Sequence, residues 1–297
     1  MPEGTQLALT NSLLKSTPQP KRHHFVPEML QKRFVDEDGW LYAYSRKRAD
    51  GCVYPVRPEK LFVEKHLYSE VKADGSREPE MERTLNKLET LADPVIEHIV
   101  QAARRGEVPR LSNEQLDIWC YFFAIQWRRV PDLHLTVTPD HEVSASFDKL
   151  IAELRTTQPH LEGELDQLSE PHERRRMIKN ARVGVLETVS FEVMDALRSR
   201  GLLIGVIGQP EKRFVLASRP VTKLTRLGAT DVRHPQCELW LPVASDIVIG
   251  LGQGRGMESL GRVTPDQVRH LNLAAAEQST VFASASAALT RSLARPR

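Results

Sequence analysis

The segment from Ser112 to Arg129 constrains this chain more than any other. Leu116, Ile118, Trp119, Tyr121, Phe122, Phe123, Ile125 and Trp127 make it apolar nearly all round. A helix with no polar face has to be surrounded by the rest of the fold. Its ends are written into the sequence. Ser112-Asn113-Glu114-Gln115 is a capping box, in which serine and glutamine each satisfy an amide that the first turn leaves unpaired. Arg128 and Arg129 stand at the electronegative C-terminal end, and Pro131 stops the helix. The chain is therefore predicted to build around this helix.

A second helix is predicted from Glu78 to about Arg105. Met81, Leu85, Leu88, Ala92, Val95 and Ile99 recur at three- and four-residue steps until Gly106. At ~100° per residue, Glu82 and Glu89 project along nearly one line beside that stripe. Pro94 removes a backbone donor, which predicts a kink or a split there.

Upstream, Pro18-Gln19-Pro20 ends a tail, residues 1–20, that is expected to be disordered. Pro27 suits the first turn of a short helix carrying Met29, Leu30 and Phe34. Aromatic and β-branched residues at 40–44 and 66–71 predict two or three short strands. Two helices are expected at about 139–155 and 171–198. Strands follow at 202–207, 213–217, 238–242 and 247–251. Thr264-Pro265-Asp266-Gln267 then opens a final helix to about Leu293. The fold class is α+β: a mainly helical core and a mixed or antiparallel sheet built from N- and C-terminal strands. Residues 21–297 are expected to form one domain, with its helical region at about 78–200.

Of 297 residues, 40% are hydrophobic, enough for a substantial core. Forty-one basic against 39 acidic residues give a net charge of +2, so a nucleic-acid contact would have to be local. The run Glu173-Arg174-Arg175-Arg176 is such a patch, or simply a solvated helix face. Cys52, Cys120 and Cys237 are few, odd in number and widely spaced, which fits a reducing compartment. Polar residues interrupt the N-terminal leucines, and no apolar run reaches the ~18 residues of a membrane span. A cytoplasmic protein without a membrane segment is expected.

Candidate chemistry gathers around His23 and His24, just ahead of the short first helix. Imidazole titrates near neutrality and is the commonest metal ligand. Adjacent residues on an extended chain point opposite ways, so the two would not clasp one ion as a pair; one could be a ligand and the other turn toward a backbone or phosphate oxygen. Glu82 and Glu89 could supply oxygen ligands to a divalent metal, or one could serve as a base; solvent exposure or pairing with Lys87 and Arg83 is the plainer reading. Arg129 and His134 have the spacing of a phosphate-binding arginine and a proton-transferring histidine, although Pro131 lies between them. The run Gly250-Leu251-Gly252-Gln253-Gly254-Arg255-Gly256 matches neither a dinucleotide fingerprint nor a P-loop, which leaves a flexible loop. There is no CxxC pair and no nucleophile elbow.

Read together, His23-His24-Phe25-Val26-Pro27 with Leu30 and Phe34 resembles the opening motif of a family of mostly bacterial proteins called domain of unknown function 4238. Glu82 to Glu89 resembles its helix with glutamates seven apart, Arg129-Val130-Pro131 its Arg-x-Pro, and Leu271-Asn272-Leu273 its C-terminal helix. The family's strand ending in Ser-Asp-x-Pro is replaced by Ala217-Ser218-Arg219-Pro220, so Ser218 stands where the resemblance implies an aspartate.

Two functions follow as expectations. One is a hydrolase or nuclease-like enzyme acting on phosphodiesters, with His24, Glu89 and Arg129 catalytic, His23, Glu82 and Ser218 binding substrate, and a divalent metal as an optional cofactor. The other is a non-catalytic binding or regulatory module, in a bacterial stress or phage-defence setting, whose motif residues hold loops onto the helices.

Overall fold

A computed structural model of the chain describes residues 22–136, 139–224 and 231–295. The tail expected at 1–20 lies outside them. From the N-terminus the elements are β1 (Arg22–His24), α1 (Glu28–Gln31), β2 (Leu41–Ser45), β3 (Tyr54–Val56), β4 (Val63–Lys65), β5 (Glu70–Val71) and β6 (Arg77–Glu78). The helical region follows: α2 (Glu80–Arg104), α3 (Asn113–Arg128), α4 (Pro131–Thr136), α5 (Asp140–Thr157), α6 (Glu162–Ser169), α7 (Pro171–Gly184) and α8 (Phe191–Arg200). The last third holds β7 (Leu202–Ile207), β8 (Leu216–Ala217), β9 (Thr222–Lys223), β10 (Leu239–Ala244), β11 (Ile247–Leu251), β12 (Ser259–Val263), α9 (Pro265–Glu277), β13 (Val281–Ser284) and α10 (Ala287–Ala294).

The fold is α+β, as its patterning predicts, but strand is divided among several sheets. One sheet has the order β12-β7-β11-β10-β9, all from the C-terminal third, and only its β12–β7 pair is parallel. A second, β3-β2-β13-β8, joins the two ends of the chain: Leu41–Ser45 runs antiparallel to Val281–Ser284. The pairs β1–β4 and β5–β6 stand apart from both. Helix α3 is central, its Phe122, Phe123 and Ile125 sharing one cluster with Leu85, Ile96 and Ile99 of α2 and Ile204, Leu241 and Ile249 of the larger sheet. Its capping box forms as read, with Ser112 and Gln115 exchanging bonds with each other's backbone amides.

Several boundaries differ from expectation. Helix α2 runs unbroken through Pro94, because Pro94 and Thr90 face solvent and the Thr90 carbonyl that loses its partner can meet water. The helix expected at 171–198 is two helices, since Ser190 starts a new one by accepting the Val193 amide. The helix expected to reach Leu293 ends at Glu277. Thr280, Val281 and Phe282 favour extended backbone, and Ser286 caps a fresh helix beyond them. The stretch expected as a strand at 66–71 is extended only at β5, because His66 takes a left-handed backbone with φ of 54°.

Candidate functional site

β1 is antiparallel to β4, with His23 opposite Glu64 and His24 opposite Val63. Alternation along the strand separates the two histidines as adjacent side chains must be. His23 turns inward and is 1% exposed, whereas His24 is half-buried at the surface. β4 is bracketed by Phe62 and His66, both with φ of 54°, a conformation costing roughly 1–3 kcal/mol at each non-glycine residue. This strained strand pair holds the His-His motif against the cluster around Arg129.

Beneath it, five of the six expected site residues meet. Arg129 caps the C-terminus of α3, is 1% exposed, and donates from Nη1 to Glu89 Oε1 at 2.7 Å. Its Nη2 donates to the backbone carbonyl of His24, and its guanidinium lies 5.4 Å from the centre of the Tyr68 ring. The Tyr68 hydroxyl returns a bond of 2.8 Å to the Arg129 carbonyl. Burial works against the guanidinium charge, and Tyr68 and Glu89 overcome it. Among the described residues no acceptor meets the buried Nε of Arg129.

His23 sits between the Tyr68 ring, stacked at 5.9 Å, and the His66 ring, edge-on at 6.4 Å. The Tyr68 amide donates to His23 Nδ1 at 3.1 Å, which assigns the imidazole proton to Nε2. Glu82 Oε2 lies 3.4 Å from that same Nδ1 but receives no hydrogen bond among the described residues. An ordinary imidazolium–carboxylate pair is thereby ruled out at this contact: a proton on Nδ1 would meet the incoming amide hydrogen. Consistent with this, burial pushes Glu82 up to about 7, helped by Glu89 and opposed by Arg129. Burial also lowers His24 below the usual imidazole value, against the pull of Glu28 and of the Pro58 carbonyl, 3.3 Å from its Nε2.

Ser218 belongs to a separate network. It is fully buried at the end of β8, and its hydroxyl donates to Asp132 Oδ2 of α4. Asp132 also accepts the Thr280 amide at 2.9 Å and the Thr280 hydroxyl at 2.7 Å, while the Val281 amide donates to Ser218 Oγ at 3.1 Å. A carboxylate is therefore present beside position 218, supplied by α4 instead of the strand. Asn272 does comparable work on α9, accepting the Val215 amide at 3.0 Å and donating to the Arg213 carbonyl at 2.9 Å.

Tyr68, His66, Asp132 and Thr280 do not stand out as site residues in the sequence. Each meets its partner across a long stretch of chain, and none lies in a recognisable spacing. The side chain of His134 lies outside the described residues. Of the basic run, Arg174 is bonded to Asp148 and Arg176 to Glu173, leaving Arg175 to face solvent. Among the described residues no three His, Cys, Asp or Glu side chains gather as a metal site, and no helix is long and apolar enough to cross a membrane.

The sequence model of a family described as a protein of unknown function, DUF4238, matches residues 22–285. No curated protein and no solved structure matches the chain.

Proposed function

The chain belongs to this DUF4238 family, and from the residues it places around Arg129 we propose that it is a non-catalytic binding or regulatory module whose His-His motif works as a buried latch. The observation that carries this reading is the burial of Arg129. Its terminal nitrogens are committed to Glu89 and to the His24 carbonyl, so the guanidinium offers no face to a phosphate. His23 of β1 and Tyr68, just beyond β4, close the same ring of contacts. In this reading the latch ties β1, the segment just beyond β4, and α2 to the C-terminal end of the central helix.

A double-mutant cycle on Arg129→Met and Glu89→Met tests the reading through urea unfolding. A latch predicts that each single change is strongly destabilising and that the double variant recovers part of the loss, because no lone buried charge remains. Additive losses would count against it.

A second reading, the phosphodiester hydrolase, is favoured by one observation: the unbonded Oε2 of Glu82 beside His23, on a carboxyl that titrates near neutrality. Incubation of the wild type and Glu82→Gln with RNA and with plasmid DNA, with and without manganese, decides between the two. Cleavage by the wild type that disappears in an equally stable Glu82→Gln variant would replace the latch with an enzyme.

A further inference from the structure

At the other end of α3, roughly 24 Å along the helix axis from Arg129, the glycine-rich run after β11 forms the wall of a cavity. The first two glycines of the run are packed tightly on their neighbours. A Cβ at Gly250 would lie 2.6 Å from the Trp240 ring, and one at Gly252 would lie 2.5 Å from the Arg200 carbonyl. Arg200 fixes the wall from beneath, donating to the Gly252 carbonyl at 3.0 Å and to the Cys237 carbonyl at 2.9 Å. The Arg255 amide bonds the Ser199 carbonyl at 2.7 Å, and the Arg255 side chain reaches Asn113 Oδ1 at the start of α3. The expectation of a flexible loop gives way to a built surface.

Between this wall and the segment joining α2 to α3 is a cavity of about 640 Å³, a volume typical of small-molecule sites. Val108, Leu111, Leu116 and Leu202 give it apolar lining, with Arg110 and Arg255 beside them. The charges are not evenly matched in what they have left to offer. Of its two carboxylates, Glu107 is paired with Arg105 at 2.9 Å, and Glu258, still charged, has its Oε1 turned to the Gly256 amide at 3.1 Å. Arg110 makes no hydrogen bond or ion pair among the described residues, and Arg255 spends one nitrogen on Asn113. Val108, 44% exposed, and Met257, 66% exposed, extend the apolar surface at the opening.

We propose that this cavity binds a small anionic amphiphile, its phosphate or carboxylate head held by Arg110 and Arg255 and its apolar body against Val108, Leu111, Leu116 and Leu202. Arginine presents paired donors that fit either head group, and the lining leucines and valine provide the dry contact that a purely ionic site lacks. The inference concerns a site separate from the latch and stands whichever way the latch behaves.

Saturation-transfer NMR and calorimetry with the whole protein test it, using octyl phosphate and octanoate as probes. Inorganic phosphate, octanol and octyltrimethylammonium serve as controls. At least one anionic probe should bind about tenfold or more tightly than phosphate or octanol, and the tighter of the two identifies the head group. Arg110→Glu and Arg255→Glu should each weaken that binding about tenfold or more, with thermal unfolding confirming that both variants remain folded. Should Arg255→Glu disturb the wall, Arg110→Glu alone decides, since that side chain supports nothing else. Absence of binding by both anionic probes would overturn the proposal. So would equal binding of the cationic probe, or unchanged affinity in a folded Arg110→Glu variant.

Discussion

Glu82 and Asp132 are both buried carboxylates close to the C-terminal end of α3, and they are held by different means. Asp132 is met by directed donors, the hydroxyls of Ser218 and Thr280 and the Thr280 amide. Glu82 has the attraction of Arg129 across the cluster, but among the described residues its Oε2 receives no donor, and Arg129 is already committed to Glu89. The difference shows that a nearby cation does not substitute for donors placed on the oxygens: desolvation outweighs the Coulombic pull and leaves Glu82 near neutrality. One carboxylate is a fixed strut, and the other is a proton-sensitive joint.

The harshest way to break the contrast is Arg129→Met, which leaves Glu89 and the His24 carbonyl buried without their donor. Urea unfolding at pH 7 should register a loss of about 3–5 kcal/mol. Glu82→Gln sharpens the contrast through pH. The folded-state value of about 7 lies above the ordinary carboxylate value of 4.5, so the folded protein holds this proton more tightly than the unfolded chain. Its contribution is fully present below pH 4.5 and is lost as pH rises through about 7, amounting to about 3 kcal/mol over that window. The glutamine variant should lack that decline, and wild-type stability curves parallel to those of the variant would refute the assignment.

Ser218→Ala probes the strut. Removing one hydroxyl donor to a buried carboxylate should cost about 2 kcal/mol, checked by urea denaturation at pH 7. The smallest effect is expected at His24, whose depressed value has the opposite sign of linkage. Its contribution is present above the ordinary imidazole value of 6.5 and is lost as pH falls through the lower folded value. His24→Gln should shallow the acid limb of the stability curve, and an NMR titration of the imidazole should show the lowered midpoint directly.

What could be read beforehand divides along the same physical line. Local periodicity exposed α2 and α3, both capping boxes, and the pairing of Glu82 with Glu89 on one helix face. The family likeness was legible in the residues around the His-His motif. The burial of Arg129 was hidden because its partners Glu89 and His24 are 40 and 105 residues away in the chain. Ser218 read as a lost charge because Asp132, 86 residues distant, supplies the carboxylate from another element. β13 was hidden by the helix-favouring residues on either side of it, and its extended form is fixed by pairing with β2 and β8.

That last pairing bears on how the protein is made. The strand Leu41–Ser45 cannot meet Val281–Ser284 until roughly 240 further residues have been polymerised. At bacterial or eukaryotic elongation rates this is a wait of roughly 12 to 48 s. During it, Leu41 and Ala43, fully buried in the finished fold, have β3 on one side and an open row of amides and carbonyls on the other. The nascent chain therefore carries an adhesive edge for most of its synthesis. Ribosome-bound chaperones would have their longest engagement there, and a chain stopped short of residue 281 should aggregate through that strand.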